Sequence, residues 1–192
     1  MQLPPVKADL RKLALARRGT VTRDAAAAFA ARLERAGLAL AKTLAHPVVS
    51  AYWPIRDEVD TRLLLAALAA QGFATALPVT GARGTALLFR AWRPGDPQTP
   101  GQMGIAEPLP AAPWVEPDLL FVPLAAFDRR GHRVGYGAGH YDRTLAQLRA
   151  RKPVLAVGLA YATQEIAQVP AQAHDQQLDF VLTEHELIDC RT

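Results

Sequence analysis

The sequence predicts an α/β domain of three layers, with a mostly parallel central sheet flanked by helices. Three observations predict it. Short β-rich runs alternate with helical stretches from residue 48 onward. Residues Leu119, Leu120, Phe121, Val122 and Pro123 form a continuously apolar run, as a strand buried on both faces of a sheet requires. The chain has 192 residues, 50% of them hydrophobic, which is enough for one packed core, and a single domain over residues 1–192 is expected.

The first element covers residues 6–18, where Val6, Leu10 and Leu13 recur at helical spacing. Lys7, Arg11 and Arg18 fall within about 40° of each other on another face, at ~100° per residue. Thr22 can cap a second helix, along which Phe29, Leu33, Leu40 and Leu44 repeat, and Gly37 is expected to interrupt it. Residues 48–52 read as a strand ended by Pro54. A polar loop, 55–60, leads into a helix over 61–70 with Asp60 or Thr61 as its cap. Gly72 stops that helix, 73–79 is the second strand, and 85–92 is a third at an edge. Of the 15 prolines, 7 fall within the 24 residues from Pro94 to Pro117. Strong core elements follow at once, so this stretch is expected to be a loop or lid flanking a cleft rather than a linker. Beyond the apolar strand, 128–139 is a loop, 141–150 a helix, and 154–159 a buried strand. Residues 179–183 read as the last strand.

Composition narrows the function classes. Lys and Arg number 22 against 18 Asp and Glu, a net charge of +4. That excess suits small anionic ligands and, with no stripe of interleaved aromatic and basic residues, gives no reason to expect nucleic acid. One cysteine, Cys190, rules out an internal disulfide framework. It lies in a terminal polar stretch with no predicted base, and no Gly-x-Ser-x-Gly elbow occurs, so no catalytic nucleophile is assigned. The first twenty residues have no apolar core of signal-peptide length. The longest leucine and alanine run, residues 63–70, is far short of the ~20 needed to cross a bilayer. A reduced, cytoplasmic protein without a membrane partner is expected.

The stretch from Gly131 to Arg143 is the most informative. Gly131, Gly135, Gly137 and Gly139 occur in nine residues directly before a helix. Glycines permit positive φ, so successive N–H groups can converge on one anion, and the helix N-terminus adds its own donors. A flexible glycine hairpin is the alternative. The loop lacks the Gly-Lys-Ser/Thr ending of a Walker motif, and His140 occupies the third glycine position of a dinucleotide fingerprint. Asp142 offers an oxygen ligand for Mg²⁺ or simply complements the helix dipole. The dipeptide His174-Asp175 offers a second carboxylate or a surface turn. Lys7 and Arg11 reach phosphates or form a solvated face. In the acidic turn at 57–61, capping explains most of the charge, yet one carboxylate can recognise ligand N–H groups. Trp53 is core or a stacking platform. No Cys/His cluster has zinc spacing.

Taken in order, these pieces resemble the 5-formyltetrahydrofolate cyclo-ligase (methenyltetrahydrofolate synthetase) family over nearly the whole chain. They are Lys7-x-x-x-Arg11, then Asp57-Glu58-Val59-Asp60-Thr61, and then Gly104-Ile105-Ala106-Glu107-Pro108. Next come the run from Pro117 to Pro123, with Ala126-Phe127-Asp128 after it, and Arg133-x-Gly135-x-Gly137-x-Gly139-x-Tyr141-Asp142-Arg143. Val169-Pro170, His174-Asp175 and the run from Asp179 to Glu184 close the pattern. The resemblance implies conversion of 5-formyltetrahydrofolate to 5,10-methenyltetrahydrofolate with ATP as co-substrate and Mg²⁺ as cofactor, by a monomer. It implies that Lys7, Arg11, Arg133, Gly135, Gly137, Gly139, His140 and Tyr141 bind ATP. It further implies that Asp142 and Asp175 hold Mg²⁺, that Glu58 binds the folate, and that Trp53 lines the folate pocket. The family usually carries two aromatics before the aspartate, where this chain has His140 and Tyr141. His140 can stack as an aromatic does and also offers ring nitrogens for hydrogen bonding.

Overall fold

The computed structural model describes residues 6–102 and 104–191. Its elements are, in order, α1 (Lys7–Arg18), α2 (Arg23–Ala41), β1 (Val48–Ser50), α3 (Arg62–Ala70), β2 (Ala74–Val79), β3 (Leu88–Ala91), β4 (Gln98–Pro100) and β5 (Ala106–Pro108). There follow β6 (Leu119–Pro123), β7 (Ala126–Phe127), β8 (Arg133–Val134), α4 (His140–Arg149), β9 (Leu155–Leu159), β10 (Phe180–Leu182) and β11 (Leu187–Asp189).

Seven strands form one sheet in the order β11-β10-β9-β6-β1-β2-β3. The pairings β10–β9, β9–β6, β6–β1 and β1–β2 are parallel, and the edge strands β3 and β11 are antiparallel. Along β6 the side chains alternate between two cores: Leu119 and Phe121 join one, Leu120 and Val122 the other. Leu33 of α2 and Leu64, Leu65 and Leu68 of α3 fill the first core. Leu145 and Leu148 of α4 fill the second. Helices therefore cover both faces, and the predicted three-layer α/β architecture is present.

The crossovers locate the site. From β1 the chain passes through α3 to β2, on one side of β1. From β6 it passes through α4 to β9, in the opposite direction across the sheet. The strand order thus reverses between β1 and β6, and ligands of open α/β sheets sit at the carboxyl ends of strands flanking such a reversal. The segments leaving those two ends are the 51–61 loop and the stretch carrying β7, β8 and the glycine loop.

Several sequence expectations are corrected. Gly37 does not interrupt α2; it is the point where α3 presses in, and a Cβ there would lie 2.5 Å from Leu64 Cδ1. Residues 94–117 are not plain loop, since β4 and β5 pair as a hairpin whose Glu107 carboxylate accepts from Thr80 N at 2.9 Å, just past β2. The stretch 128–139 contains β8, which pairs with β7. The strand β10 is not last: β11 returns antiparallel and leads Cys190 into the second core. Burial pushes the Cys190 thiol up to about 11, as suits an inert packing residue. The apolar stripe read on α1 is also wrong, because Val6 and Leu13 are 61% and 49% exposed. The helix instead turns Leu10, Ala14 and Arg18 inward. Among the described residues no helix is long and apolar enough to cross a membrane.

Candidate functional site

The basic face of α1 lies against the glycine loop. Lys7, Arg11, Ala14 and Arg18 recur at i, i+4, i+7 and i+11, so one side of the helix presents three cations and one small residue. Each cation has a defined partner. Lys7 Nζ lies 2.5 Å from Asp175 Oδ2. Arg11 Nε donates to Gly135 O at 2.7 Å. Arg18 donates to Asp57 Oδ1 and to the Tyr136 hydroxyl, both at 2.6 Å. The solvated-face alternative for Lys7 and Arg11 is therefore excluded by their contacts.

The glycine loop needs its glycines. Gly137 and Gly139 adopt φ of 97° and 69°, in the left-handed region that side-chain-bearing residues disfavour. Gly139 is also the N-cap of α4, and among the described residues no side-chain cap hydrogen bond closes that helix. Carbonyl groups of the loop are taken by arginines: Gly135 O by Arg11, Gly137 O by Arg83 at 3.4 Å, and Gly139 O by Arg143 at 3.1 Å. His140 Nδ1 lies 2.7 Å from Thr85 O. A carbonyl oxygen only accepts, so Nδ1 carries the proton there and the loop is tied to the segment before β3.

Arg133 and Asp142 join the start and end of the loop. Arg133 Nη2 lies 2.7 Å from Asp142 Oδ1, and its Nη1 donates to Gln176 O at 2.5 Å. The same Asp142 oxygen accepts from Gln176 N at 3.1 Å. Asp142 thus does more than complement its helix dipole: it fastens α4 to the 175–176 segment. Burial lowers the Arg133 pKa, while Asp142 and Asp175 oppose that shift, so both carboxylates act on one guanidinium. Burial pushes the Asp175 pKa up, but the Lys7 hydrogen bond, the Gln172 N–H and the Lys7 charge together hold it below its ordinary range. It also closes its own turn by accepting from Gln172 N at 2.8 Å.

Among the described residues no group of three or more His, Cys, Asp or Glu side chains is placed to hold a metal ion. Two neighbouring carboxylates nevertheless fit Mg²⁺, which typically takes one or two carboxylates and completes its shell with phosphate oxygens and water. They do not fit zinc or another soft metal.

The opposite wall is the turn after β1. Arg56 has a φ of 53°, a left-handed conformation costing about 1 kcal/mol for a residue with a side chain. It closes a tight turn in which Glu58 N donates to Ile55 O and Ile55 N donates to Glu58 Oε2, each at 3.1 Å. Glu58 is half-buried, and burial raises its pKa despite opposing contributions from Tyr136, Ile55 N and Arg18. Tyr136 and Tyr141 are raised by burial and next by the Glu58 charge, which places the loop's aromatics around that carboxylate. Trp53 is half-buried and packs edge-on against Trp92, with ring centroids 5.5 Å apart, at the margin of the first core.

The structure therefore brings together Lys7, Arg11, Gly135 and Asp175 on one side, Arg133 and Asp142 beneath the loop, and Glu58 with Tyr141 on the other. Arg18 and Tyr136, which meet between the loop and the turn, were not assigned from sequence. Tyr136 is hidden in a glycine motif that specifies its neighbours, and Arg18 looks like one surface cation among several. The shared angular position of Lys7, Arg11 and Arg18 was the available signal.

Fold and geometry define an α/β domain in which a glycine-rich loop and a carboxylate-bearing turn leave strand ends that flank a topological switch point. The chain belongs to the 5-formyltetrahydrofolate cyclo-ligase family, whose sequence model matches residues 4–184, and it is an enzyme of that family. It is 36% identical over 139 residues to the 5-formyltetrahydrofolate cyclo-ligase of Haemophilus influenzae, covering 70% of this chain and 74% of that one. It is 37% identical over 147 residues to the enzyme of that name from Mycolicibacterium smegmatis, covering 70% and 72%. An NMR structure of Aquifex aeolicus 5,10-methenyltetrahydrofolate synthetase superimposes with a TM-score of 0.77 at 28% identity, over 98% of this chain and 94% of that one. A Mycoplasma pneumoniae 5,10-methenyltetrahydrofolate synthetase shares the fold, with a TM-score of 0.73 at 21% identity over 97% and 100%.

Proposed function

We propose that this enzyme converts 5-formyltetrahydrofolate to 5,10-methenyltetrahydrofolate, using ATP and releasing ADP and phosphate. The observation that carries this reading is the meeting of a glycine loop and a half-buried carboxylate turn at one switch point, in a chain of this family. The loop would supply donors to an anion and the turn an acceptor for polar N–H groups, as joining a nucleotide's phosphate to a pterin's formyl group requires.

The loop N–H groups and the free start of α4 cradle the phosphates, with Lys7 and Arg11 alongside. Asp142 and Asp175 hold Mg²⁺, which when bound offsets phosphate charge. Arg133, already spent on Asp142, positions that carboxylate rather than reaching the nucleotide as a free cation. Glu58 accepts hydrogen bonds from the pterin, and Trp53 and Tyr141 line its pocket.

The formyl oxygen is a poor leaving group. In the reading proposed, it attacks the γ-phosphorus and the bond to the β–γ bridging oxygen breaks, releasing ADP. Nitrogen 10 of the folate then attacks the phosphorylated formyl carbon and loses its proton. The carbon–oxygen bond breaks, phosphate leaves with the formyl oxygen, and the nitrogen 5 lone pair completes the amidinium. Substrate atoms supply both nucleophiles, which accounts for a site without a nucleophilic side chain. The protein's work is alignment and charge compensation.

The test is isotopic. With ¹⁸O in the formyl group, one labelled oxygen per turnover is expected in the released phosphate. Unlabelled phosphate alongside methenyl product would overturn the phosphorylated intermediate.

A further inference from the structure

Arg18 is the most buried cation of α1, with its side chain 6% exposed, and it touches both halves of the site. One arm of its guanidinium reaches Tyr136, which stands between Gly135 and Gly137 in the glycine loop. The other reaches Asp57, the residue before Glu58. The loop leaves β8 and the turn leaves β1, so the guanidinium joins segments that follow different strands. Arg18 Nε is buried and has no hydrogen-bond partner among the described residues. Leaving a guanidinium nitrogen unpaired in a buried position is costly, and a requirement merely to fill space would be met more cheaply by an apolar side chain.

Resting on the reading above, we infer that Arg18 is a positioning residue that latches the glycine loop to the Glu58 turn, so that nucleotide and folate strengthen each other's binding. A ligand ordering the loop fixes Tyr136, the guanidinium fixes Asp57 relative to Tyr136, and Glu58 follows its neighbour. By linkage the folate ordering Glu58 must favour the nucleotide equally. A point charge cannot replace the fork, because two acceptors in different directions are served by separate nitrogens of one rigid plane.

The test measures the dissociation constant of 5-formyltetrahydrofolate with and without a non-hydrolysable MgATP analogue. It uses the wild type, Arg18→Met, Arg18→Lys, Tyr136→Phe and the control Arg129→Gln. The control removes an exposed pair with Glu165 and Glu186 that touches neither loop. For wild type and control, the analogue is expected to tighten folate binding by about tenfold. For Arg18→Met and Arg18→Lys the ratio is expected to fall to within about twofold. Tyr136→Phe keeps the Arg18–Asp57 pair and hence the fold, and is expected to lose the ratio too, so misfolding of an Arg18 variant leaves the inference testable. An unchanged ratio in Tyr136→Phe and Arg18→Lys, or a wild-type ratio of one, overturns the latch while leaving the proposed reaction standing. A wild type that turns over no 5-formyltetrahydrofolate overturns both.

Discussion

The Arg133 guanidinium lies 2.7 Å from the Asp142 carboxylate, with side chains 4% and 22% exposed, so the residue opening the glycine motif grips the residue closing it. The loop between them is consequently a closed circuit, anchored at β8 and at the first turn of α4. Its shape is set by that pair together with the backbone freedom of Gly137 and Gly139.

Arg133→Met is expected to destabilise the fold by about 2 kcal/mol, less than a fully buried pair because Asp142 retains some contact with water. The Gln176 carbonyl also loses its donor. Urea denaturation reads the stability loss, and activity should fall with it because Asp142 is released.

Asp142→Asn is expected to remove Mg²⁺-dependent turnover while the fold survives. The amide keeps an acceptor for Arg133 and for Gln176 N, so circular dichroism should move little, while the melting midpoint should fall because the buried guanidinium loses its charge partner. Turnover close to wild type, measured across a Mg²⁺ titration, would sink the metal assignment for this carboxylate.

Gly137→Ala places a side chain at a φ of 97° with its Cβ 3.6 Å from Arg11 Nη2. The conformational cost is about 1–2 kcal/mol, a factor of roughly 5 to 30 if paid on binding. A KM for ATP raised within that range is expected, and an unchanged KM would show that the loop does not hold the nucleotide.

Glu58→Gln tests stability against function. Burial raises the Glu58 pKa, so the folded state holds its proton more tightly than the unfolded chain does. That contribution is fully present below the ordinary carboxylate range and is lost as pH rises through the raised value. The glutamine variant is therefore expected to melt higher than wild type at neutral pH, with the gap closing as pH falls into the ordinary range. Folate affinity should drop in the same variant. Asp57 and Asp175, both lowered, have the opposite sign: their stabilisation is present above the ordinary range and lost as pH falls.

His140→Ala removes the tie to Thr85 O, a hydrogen bond worth about 1 kcal/mol. An ATP KM raised about fivefold is expected. His140→Tyr, restoring the family's usual aromatic, is expected to change activity only modestly, and complete loss would show a differently shaped pocket.

Much of this was legible in the sequence because its signals are local. Strand periodicity, the apolar run at 119–123 and the left-handed glycines each depend on few neighbouring residues. What escaped depends on partners far along the chain. Gly37 reads as a helix breaker until α3 is seen pressing on it, and β11 is too short to announce itself without β10 beside it. The inward face of α1 was misread for a similar reason. Charged residues normally face water, yet here carboxylates, carbonyls and a phenol more than a hundred residues away neutralise them, apart from Asp57 nearby. Lys7, Arg11 and Arg133 were identified as site cations, but not that each is already engaged.

The central claim is that this site closes the folate ring at the cost of ATP. The most direct measurement mixes the protein with MgATP and 5-formyltetrahydrofolate and follows the near-ultraviolet band of 5,10-methenyltetrahydrofolate alongside ADP. The expected result is a band that grows in equal amount with ADP and requires all three components. ADP formed without the band, or a band that grows equally well without ATP, would contradict the account.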